Sequence, residues 1–470
     1  MTRIWRPDLT QFDGPKYLAL SHALREAVRC GDLAEGARLP PVRELAWSLS
    51  ITPGTVARSY QIVTQEGLLV ATVGRGTFVT SRQPRLGPEQ LSGNEPDPEI
   101  ATEDARQVVD LRSPQLPDVG QSAAIAAILG RIAGQMGPEH LDYACLRHDR
   151  PLRLALVDWL GGQAQGAFGA DDIALTLGGQ HAVGIVLQCC LRGERPHIFC
   201  EELAYPGFRR AARLNRAEVV PVALDSEGMV PGALDAACRR TGGRIVFLTP
   251  DAQNPTTARM GVERRAAIVA VARLHDLQII EDDCYSVAHA SDPWLRLLAP
   301  ERTWYITSLS KSISAGLRFG AVVCPTGHGE AARLAVQHSL FGLPHPITDI
   351  VHALLQSGEA YRLRERVQAV YAQRLEATLN ILGRHDLRWQ KGLSFVWLPM
   401  PRGWRASTFT REAAARGVLI RSADEYSLTD GRAPNAVRIA LAGEIAAQRF
   451  AAALTILAGL LDAPNDDLPV

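Results

Sequence analysis

A short lysine-bearing turn between two strand-like runs is the feature that most constrains this chain. The stretch 303–324 begins and ends with β-like residues, and between them lie Ser308, Ser310, Lys311 and Arg318. The amine is unusual here, because Lys311 is one of three lysines among 50 basic residues. A primary amine can condense with an aldehyde, whereas a guanidinium stays charged and non-nucleophilic. The stretch therefore predicts two strands joined by a turn that holds one reactive amine.

The other side chains of this turn favour an anionic group. Hydroxyls and a planar guanidinium fork are good donors to phosphate, which Ser308, Ser310 and Arg318 supply. An amine that meets an aldehyde beside a phosphate site indicates pyridoxal 5′-phosphate. The alternative is a surface lysine beside a Ser-rich turn, and this stretch alone leaves the two interpretations equal.

Composition sets broad limits on function. The 470 residues are 46% hydrophobic and 21% charged, with room for more than one domain. The formal net charge is zero, although residues 1–82 hold 10 basic against 7 acidic side chains. The eight cysteines form no C-x-x-C pair, which is typical of reduced cytosolic thiols. We find no apolar run long enough for a membrane span and no signal-peptide core, and we expect a cytoplasmic protein.

The first 82 residues predict a small α+β domain. Apolar spacing indicates a helix over 17–28, a second over 39–49 after a proline, and a third over 54–63. The short break between the second and third helices is typical of a helix-turn-helix. Residues 67–79 alternate around a Gly-Arg-Gly tip, which predicts a β-hairpin. Together they predict a winged helix-turn-helix domain over residues 1–82.

A winged helix-turn-helix places its third helix in the major groove of DNA. We predict double-stranded promoter DNA as a partner, contacted from the third helix, the turn before it, the start of the second helix and the wing. The predicted contact residues are Arg43, Thr52, Thr55, Arg58, Ser59 and Arg75. The alternative is a helical interaction module whose charges are only solvated.

This block resembles the GntR superfamily of bacterial transcription regulators. The family patterns L-P-x-x-R-E-L-A, x-T-V-x-R-x-Y and E-G-L-…-G-x-G-T-F-V occur at 39–46, 55–60 and 66–79. One departure is Thr52-Pro53 at the turn, where the family carries Ser or Thr followed by Arg. The resemblance implies DNA binding with an altered site preference.

Residues 83–108 predict a flexible linker. They contain four prolines, six acids and two arginines, with no apolar periodicity. Such a composition buries too little apolar surface to order itself.

Residues 109–470 predict an α/β domain, since strand-like and helix-like segments alternate along them. In such sheets ligands gather at the carboxyl ends of the strands. After the strand 172–177, Gly179 and Gln180 begin a helix, and a glycine-rich helix start is a natural phosphate seat. Asn254 follows another strand and precedes a proline that holds it extended, where its amide can donate to a ring oxygen. The alternative is a plain Asn-Pro turn, which is more common in general.

Three further positions suit an aromatic cofactor with a bound ligand. Asp282 ends an apolar strand, with Tyr285 three residues on, and a carboxylate there can keep a pyridine nitrogen protonated. The alternatives for Asp282 are an ion pair or a metal site. Tyr205 precedes a proline and is either a ring-stacking side chain or a core tyrosine. Arg438 lies within an apolar strand and needs an anion, such as a ligand carboxylate.

The order of these motifs resembles the fold-type I aminotransferase family over residues 110–465. The resemblance implies that Lys311 forms the Schiff base, that Asp282 faces the pyridine nitrogen and that Asn254 and Tyr285 contact the ring hydroxyl. It implies that Tyr205 stacks on the ring and Arg438 holds a substrate carboxylate. It assigns the phosphate to Gly179, Gln180, Ser308, Ser310 and Arg318. Tyr143 resembles the tyrosine that reaches a neighbouring subunit's phosphate, which implies a homodimer.

This sequence departs from that family on the substrate side of the site. Leu203-Ala204 replaces Pro-Gly or Pro-Ser before the stacking aromatic, Ala315 replaces a proline, and residues 144–150 replace a glycine-containing loop. These changes affect the substrate walls more than the cofactor cradle.

The complete chain resembles the MocR/GabR regulators, in which a winged helix-turn-helix precedes an aminotransferase-like domain. This implies a transcription regulator that senses a small amine or amino acid through a pyridoxal 5′-phosphate aldimine at Lys311. One alternative is a working aminotransferase with an appended regulatory module. Another is a repressor whose second domain only dimerises.

Overall fold

A computed structural model of the chain describes residues 5–9, 14–34, 36–66, 68–72, 76–80, 108–144, 148–161, 166–193, 196–285, 292–428 and 433–463. The chain divides into two compact units, Met1–Glu95 and Pro96–Val470. The expected linker 83–108 lies outside the described residues except for Val108, so the boundaries at 82 and 109 stay predictions. No helix in the described ranges combines the length and apolarity that a membrane span requires.

The first unit has the predicted winged helix-turn-helix elements. They are α1 (Lys16–Cys30), α2 (Val42–Ser48), α3 (Pro53–Gln65), β1 (Leu69–Thr72) and β2 (Gly76–Val79). Helix α1 ends at Gly31, whose φ of 86° is left-handed, and α3 begins at Thr52, whose hydroxyl accepts from the Thr55 N–H. Strands β1 and β2 form the antiparallel wing. Its core contains Leu20, Leu24, Leu45, Val56, Val63 and Leu69.

The second unit is larger and begins with alternating strands and helices. Its first part contains β3 (Val109–Asp110), α4 (Gln121–Ala133), α5 (Arg150–Leu160), β4 (Ile173–Thr176), α6 (Gly179–Cys190), β5 (His197–Glu201), α7 (Pro206–Leu214), β6 (Glu218–Val222), β7 (Leu224–Asp225), β8 (Gly228–Met229), α8 (Pro231–Thr241), β9 (Ile245–Leu248), α9 (Val262–Leu274) and β10 (Gln278–Asp283). Its second part contains α10 (Leu295–Leu298), β11 (Thr303–Ser308), β12 (Gly320–Val323), α11 (Gly329–Leu340), α12 (His345–Gln356), α13 (Glu359–Leu382), β13 (Phe395–Pro399), α14 (Ala406–Ala415), β14 (Val418–Leu419), β15 (Arg421–Ser422), β16 (Ala436–Ala440) and α15 (Ala447–Asp462).

The main sheet of this unit is seven-stranded and mostly parallel. Its order is β4-β12-β11-β10-β9-β5-β6, and β12 runs antiparallel to both of its neighbours. The central strands are buried and apolar, as expected for a sheet covered on both faces. The carboxyl ends of β4, β5, β9, β10 and β11 therefore share one edge, where the predicted cofactor residues follow the strands. The α/β prediction is confirmed.

A second, smaller sheet carries Arg438. Strands β13, β16 and β15 pair antiparallel, and the short β3 pairs with β14 beside them. Helices α13, α14 and α15 pack with these strands around a core that includes Phe409, Phe450 and Leu457.

Candidate functional site

The start of α6 forms a close backbone cradle. Gly178 has a φ of 82°, and a Cβ added there would lie 2.8 Å from Nη2 of Arg318. That guanidinium donates to the Leu177 carbonyl over 3.3 Å, so it reaches the amino end of α6. The positive φ favours glycine at 178. A helix start and a guanidinium thus meet where a phosphate can bind.

Gly179 and Gln180 complete this cradle in different ways. A Cβ at Gly179 would lie 2.3 Å from Sγ of Cys284, so only glycine fits against the end of β10. The Gln180 side chain donates to the Gly207 carbonyl over 2.8 Å. It thereby ties α6 to the turn that carries Tyr205.

The two predicted serines lie together after β11. The Ser310 N–H donates to Oγ of Ser308 over 3.1 Å, and the two hydroxyl oxygens are 2.9 Å apart. Ser308 is buried and also contacts the Phe319 carbonyl, while Ser310 is half-buried. Ser308 therefore shapes the turn that presents Ser310 and Lys311.

The Lys311 amine lies half-buried in this turn, 3.4 Å from the carbonyl oxygen of Pro114. Burial lowers the pKa of Lys311 to about 8, with a further lowering from the positive charges of Arg438 and Arg318. No carboxylate of the described residues forms a salt bridge with it. The amine is consequently more nucleophilic at neutral pH than an exposed lysine.

Asp282 lies near the end of β10, where the Cys284 N–H donates to its carboxylate over 3.0 Å. Burial raises the pKa of Asp282, and the hydrogen bonds from Cys284 oppose that rise. A cation beside this carboxylate would favour its ionised form. No cluster of three or more His, Cys, Asp or Glu suited to a metal occurs in the described part of the chain.

Asn254, Tyr285 and Arg438 form one connected group. The Asn254 amide donates to the Tyr285 hydroxyl over 3.1 Å, and its carbonyl accepts from Nη1 of Arg438 over 2.8 Å. Asn254 and Tyr285 follow β9 and β10, and Arg438 lies in the middle of β16, so the fold brings together what the sequence only predicted singly.

Arg438 is a buried cation, with 3% of its surface exposed. Its guanidinium lies 4.9 Å from the ring centre of Phe395 and 5.1 Å from that of Tyr426. Its Nε atom has no hydrogen-bond partner among the described residues. An arginine in this environment has room in its hydrogen bonding for an added anion.

The two predicted tyrosines differ in environment. Tyr205 caps the start of α7 and is 45% exposed, with its ring close to Gly207. Tyr143 is 77% exposed, and its ring lies 5.1 Å from that of Phe341. Within one chain, then, Tyr143 is a surface residue.

The side chains fit pyridoxal 5′-phosphate. The close approach of Cys284 to Gly179 leaves no space for a Cβ, an amine of lowered pKa stands near it, and a half-buried carboxylate lies at the next strand end. These groups can donate to a phosphate, condense with an aldehyde and accept a hydrogen bond from a protonated pyridine nitrogen.

On the first unit the predicted DNA-contacting residues are mostly exposed. Arg43 and Arg58 are exposed, and the Arg58 guanidinium lies 4.0 Å from the ring centre of Tyr17. Thr52 and Thr55 hydrogen-bond to each other at the start of α3. Arg75 lies outside the described residues.

The prediction that Ser59 faces solvent is wrong. Ser59 is fully buried, and its hydroxyl lies 3.0 Å from that of Ser21 on α1. One residue along a helix turns the side chain by about 100°, so the neighbour of an exposed Arg58 packs against α1 instead. Ser59 therefore joins two helices and has no access to DNA.

Sequence reasoning missed the contacts that surround Arg438. The carbonyl oxygen of Arg112 accepts from both Arg438 and Arg421, and Tyr426 covers the guanidinium. Arg421 follows three apolar residues, the same signal that identified Arg438. The backbone oxygen of Arg112 had no such signal.

Two family comparisons cover most of the chain. Residues 106–453 match the sequence model of aminotransferase class I and II, and residues 16–79 match that of the bacterial regulatory proteins of the gntR family.

Individual proteins resemble the chain at lower identity. The HTH-type transcriptional regulator YdeF of Bacillus subtilis is 27% identical over 97% of both chains. The vitamin B6 salvage pathway transcriptional repressor PtsJ of Salmonella typhimurium is 26% identical over 89% of this chain and 92% of its own.

Among solved structures, LysN of Thermus thermophilus, an α-aminoadipate aminotransferase complexed with N-(5′-phosphopyridoxyl)-L-leucine, has a TM-score of 0.66 and 26% identity. The match covers 76% of this chain and 93% of that one. The comparisons identify pyridoxal 5′-phosphate as the cofactor of the second unit. The chain belongs to the class I and II aminotransferase family and, with its N-terminal gntR-type domain, to the MocR/GabR group of transcription regulators.

Proposed function

We propose that this regulator binds promoter DNA through its first unit and senses a small amine or amino acid at the cofactor site of its second unit. The observation that carries the proposal is the lysine: Lys311 has a pKa lowered to about 8 by burial and lies in a site that also holds the buried cation Arg438. An amine that exchanges with Lys311 and carries a carboxylate for Arg438 would use both groups.

Pyridoxal 5′-phosphate, when bound, supplies an aldehyde that condenses with primary amines. In this chain Lys311 would hold it covalently, and Asp282 would keep the ring nitrogen protonated. Asn254 and Tyr285 would donate to the ring oxygen, and Tyr205 would cover one face. The phosphate would be held by Gly179, Gln180, Ser308, Ser310 and Arg318.

The coupling to DNA requires two states of the protein with different ligand affinity, because a ligand that binds both states equally shifts neither. Loss of the covalent link at Lys311, together with a new anion at Arg438, would provide that difference. DNA affinity would then change with ligand concentration.

An absorption spectrum tests the lysine. We expect the protein mixed with pyridoxal 5′-phosphate to show a visible band that Lys311→Ala lacks. The matched control is Lys391→Ala, since Lys391 is exposed. A Lys311→Ala protein with an unchanged band, or a wild-type protein that the cofactor never tints, would contradict the proposal. The second outcome would favour a dimerisation scaffold.

We also propose a homodimer and a cytoplasmic location. Leu141, Tyr143 and Phe341 are 88%, 77% and 58% exposed, and a group of large exposed apolar side chains is typical of a protein interface. We expect the cytoplasmic location because the promoter DNA that the first unit would bind lies in the cytoplasm. Light scattering of wild type and Tyr143→Ser tests the dimer.

The complete set of cofactor-binding side chains supports a second candidate, an active aminotransferase with a regulatory module. Steady formation of product from an amino donor and a keto acid, without selective DNA binding, would favour the enzyme. DNA binding that shifts with an amine, without turnover, would favour the regulator.

A further inference from the structure

Two arginines face each other on the small sheet and donate to the same backbone oxygen. Arg421 on β15 and Arg438 on β16 are directly opposite in the antiparallel register. Nη2 of Arg438 lies 2.6 Å from the carbonyl oxygen of Arg112, and Nε of Arg421 lies 3.0 Å from it. Like charges directly opposite on a sheet are destabilising, so the pair calls for an anion between them.

Among the described residues, two of the three arginines of this group pair with a carboxylate, and the third forms no such pair. Arg112 is paired with Asp110 over 2.8 Å, and Arg421 is paired with Glu425. Arg438 forms no salt bridge with a described residue, and its Nε is buried without a hydrogen-bond partner among the described residues. Because Arg438 is 3% exposed, water supplies little of the hydrogen bonding and charge compensation that its guanidinium lacks.

The carbonyl oxygen of Arg112 meets only part of this requirement. A carbonyl offers one oxygen with a partial charge, whereas a carboxylate offers two oxygens and a full charge that arginine forks bind well. We infer that Arg421 is a second carboxylate-binding residue of the effector site beside Arg438, and that the effector's carboxylate displaces the carbonyl oxygen of Arg112. This inference rests on the proposed function.

The inference narrows the effector to amines that carry a carboxylate. It also gives binding a mechanical consequence, because Arg112 lies two residues after β3. That strand is held by the Val109 and Leu111 N–H groups, which donate to the Gly417 and Leu419 carbonyls over 2.8 and 2.7 Å. Release of the Arg112 carbonyl loosens residues 109–112, which include β3, the first described strand of the second unit.

The test compares amines that differ only in a carboxylate. The full-length protein loaded with pyridoxal 5′-phosphate is titrated with glycine and β-alanine, and with methylamine and ethylamine, while visible absorbance is followed. We expect Arg421→Gln to raise the half-saturating concentration of the amino acids about tenfold, the value of one charge-assisted hydrogen bond. The response to methylamine and ethylamine stays as in wild type.

Two variants make the result specific. Arg421→Lys keeps the charge and should recover part of the amino-acid response. Arg416→Gln removes an exposed arginine that directly follows α14 and pairs with Glu412. Its response to the amino acids should match that of wild type. Hydrogen exchange of residues 109–116 should also rise when wild type binds glycine, and rise less in Arg421→Gln.

The outcomes separate this inference from the proposed function. A loaded protein without a visible band would refute the proposed function before any amine is added. A normal band, with glycine responses equal in wild type and Arg421→Gln, would overturn the role of Arg421 alone. Equal weakening toward glycine and methylamine would also overturn it, since that pattern indicates a general disturbance of the pocket.

Discussion

The two units hold their functional side chains in opposite environments. In the second unit Lys311 and Asp282 are half-buried at strand ends and Arg438 is buried within β16, and their hydrogen bonds are made by neighbours in the same chain. In the first unit Arg43 and Arg58 stand exposed, and most of their partners would come from DNA. A buried polar group must have a partner, whereas an exposed one need not. The site of the second unit can therefore be tested by substitutions among residues that contact each other within the chain. The first unit is tested mainly by measuring DNA binding.

The largest expected effect lies in the buried unit and concerns pH. Burial lowers the pKa of Lys311 from 10.5 to about 8, so the neutral amine becomes the main form above about pH 8. Capture of pyridoxal 5′-phosphate by the cofactor-free protein should speed up about tenfold per pH unit below that point, and then level off. Stopped-flow absorbance measures the rate.

The lowered pKa of Lys311 also makes the free energy of unfolding depend on pH, in a direction that can be stated. The unfolded chain binds the Lys311 proton more tightly than the folded chain between about pH 8 and 10.5, so this residue makes the free energy of unfolding rise with pH over that window. Lys311→Met should lack this contribution. A capture rate that keeps rising up to pH 10 would instead show an ordinary exposed amine.

The next effect tests the cradle of the buried unit. Alanine normally stabilises a helix relative to glycine, but at Gly179 the added Cβ would lie 2.3 Å from Sγ of Cys284. We expect Gly179→Ala to lower the free energy of unfolding by about 2 kcal/mol, as overpacking does, and to weaken cofactor binding. Denaturant unfolding and cofactor titration measure both changes.

A second substitution distinguishes a clash from a general loss of flexibility. Cys284→Ala removes the sulfur, after which the nearest atom to the new Cβ is Cβ of residue 284 at 3.7 Å, an ordinary contact. The double variant should therefore recover most of the stability. If Gly179→Ala is equally destabilising with and without the sulfur, the close approach is not the cause.

The same contrast explains how much the sequence could predict. Strand ends of a parallel sheet share an edge, so Asn254, Asp282 and Lys311 could be grouped from their positions after strand-like runs. The carbonyl oxygens of Arg112 and Pro114 could not, because any residue supplies a carbonyl and these pair with side chains 326 and 197 positions away. Helical spacing defines only a broad exposed face of α3, and Ser59 lies at the edge of that face. The packing of Ser59 against Ser21, which the sequence does not show, makes it buried.

On the exposed unit, Arg58→Ala should weaken DNA binding about tenfold, the usual scale of one lost arginine contact. The probe is a duplex selected from a random library by the wild-type protein, and gel shifts at several salt concentrations measure affinity. Arg58→Lys should retain the part of the DNA affinity that comes from the positive charge of the side chain. Because the guanidinium lies over Tyr17, Tyr17→Leu tests the support of that ring and should have a smaller effect.

The smallest effect compares two adjacent residues of α3. Ser59→Ala removes a buried hydrogen bond, but Ser21 keeps its bond to the Tyr17 carbonyl, so the free energy of unfolding should fall by only about 1 kcal/mol. DNA affinity should stay unchanged, because the side chain is fully buried against α1. Arg58→Ala should give the reverse pattern, with weaker DNA binding and little change in stability. Weaker DNA binding by Ser59→Ala at unchanged stability would mean that α3 is rotated about its axis, with Ser59 toward the groove and Arg58 turned away from it.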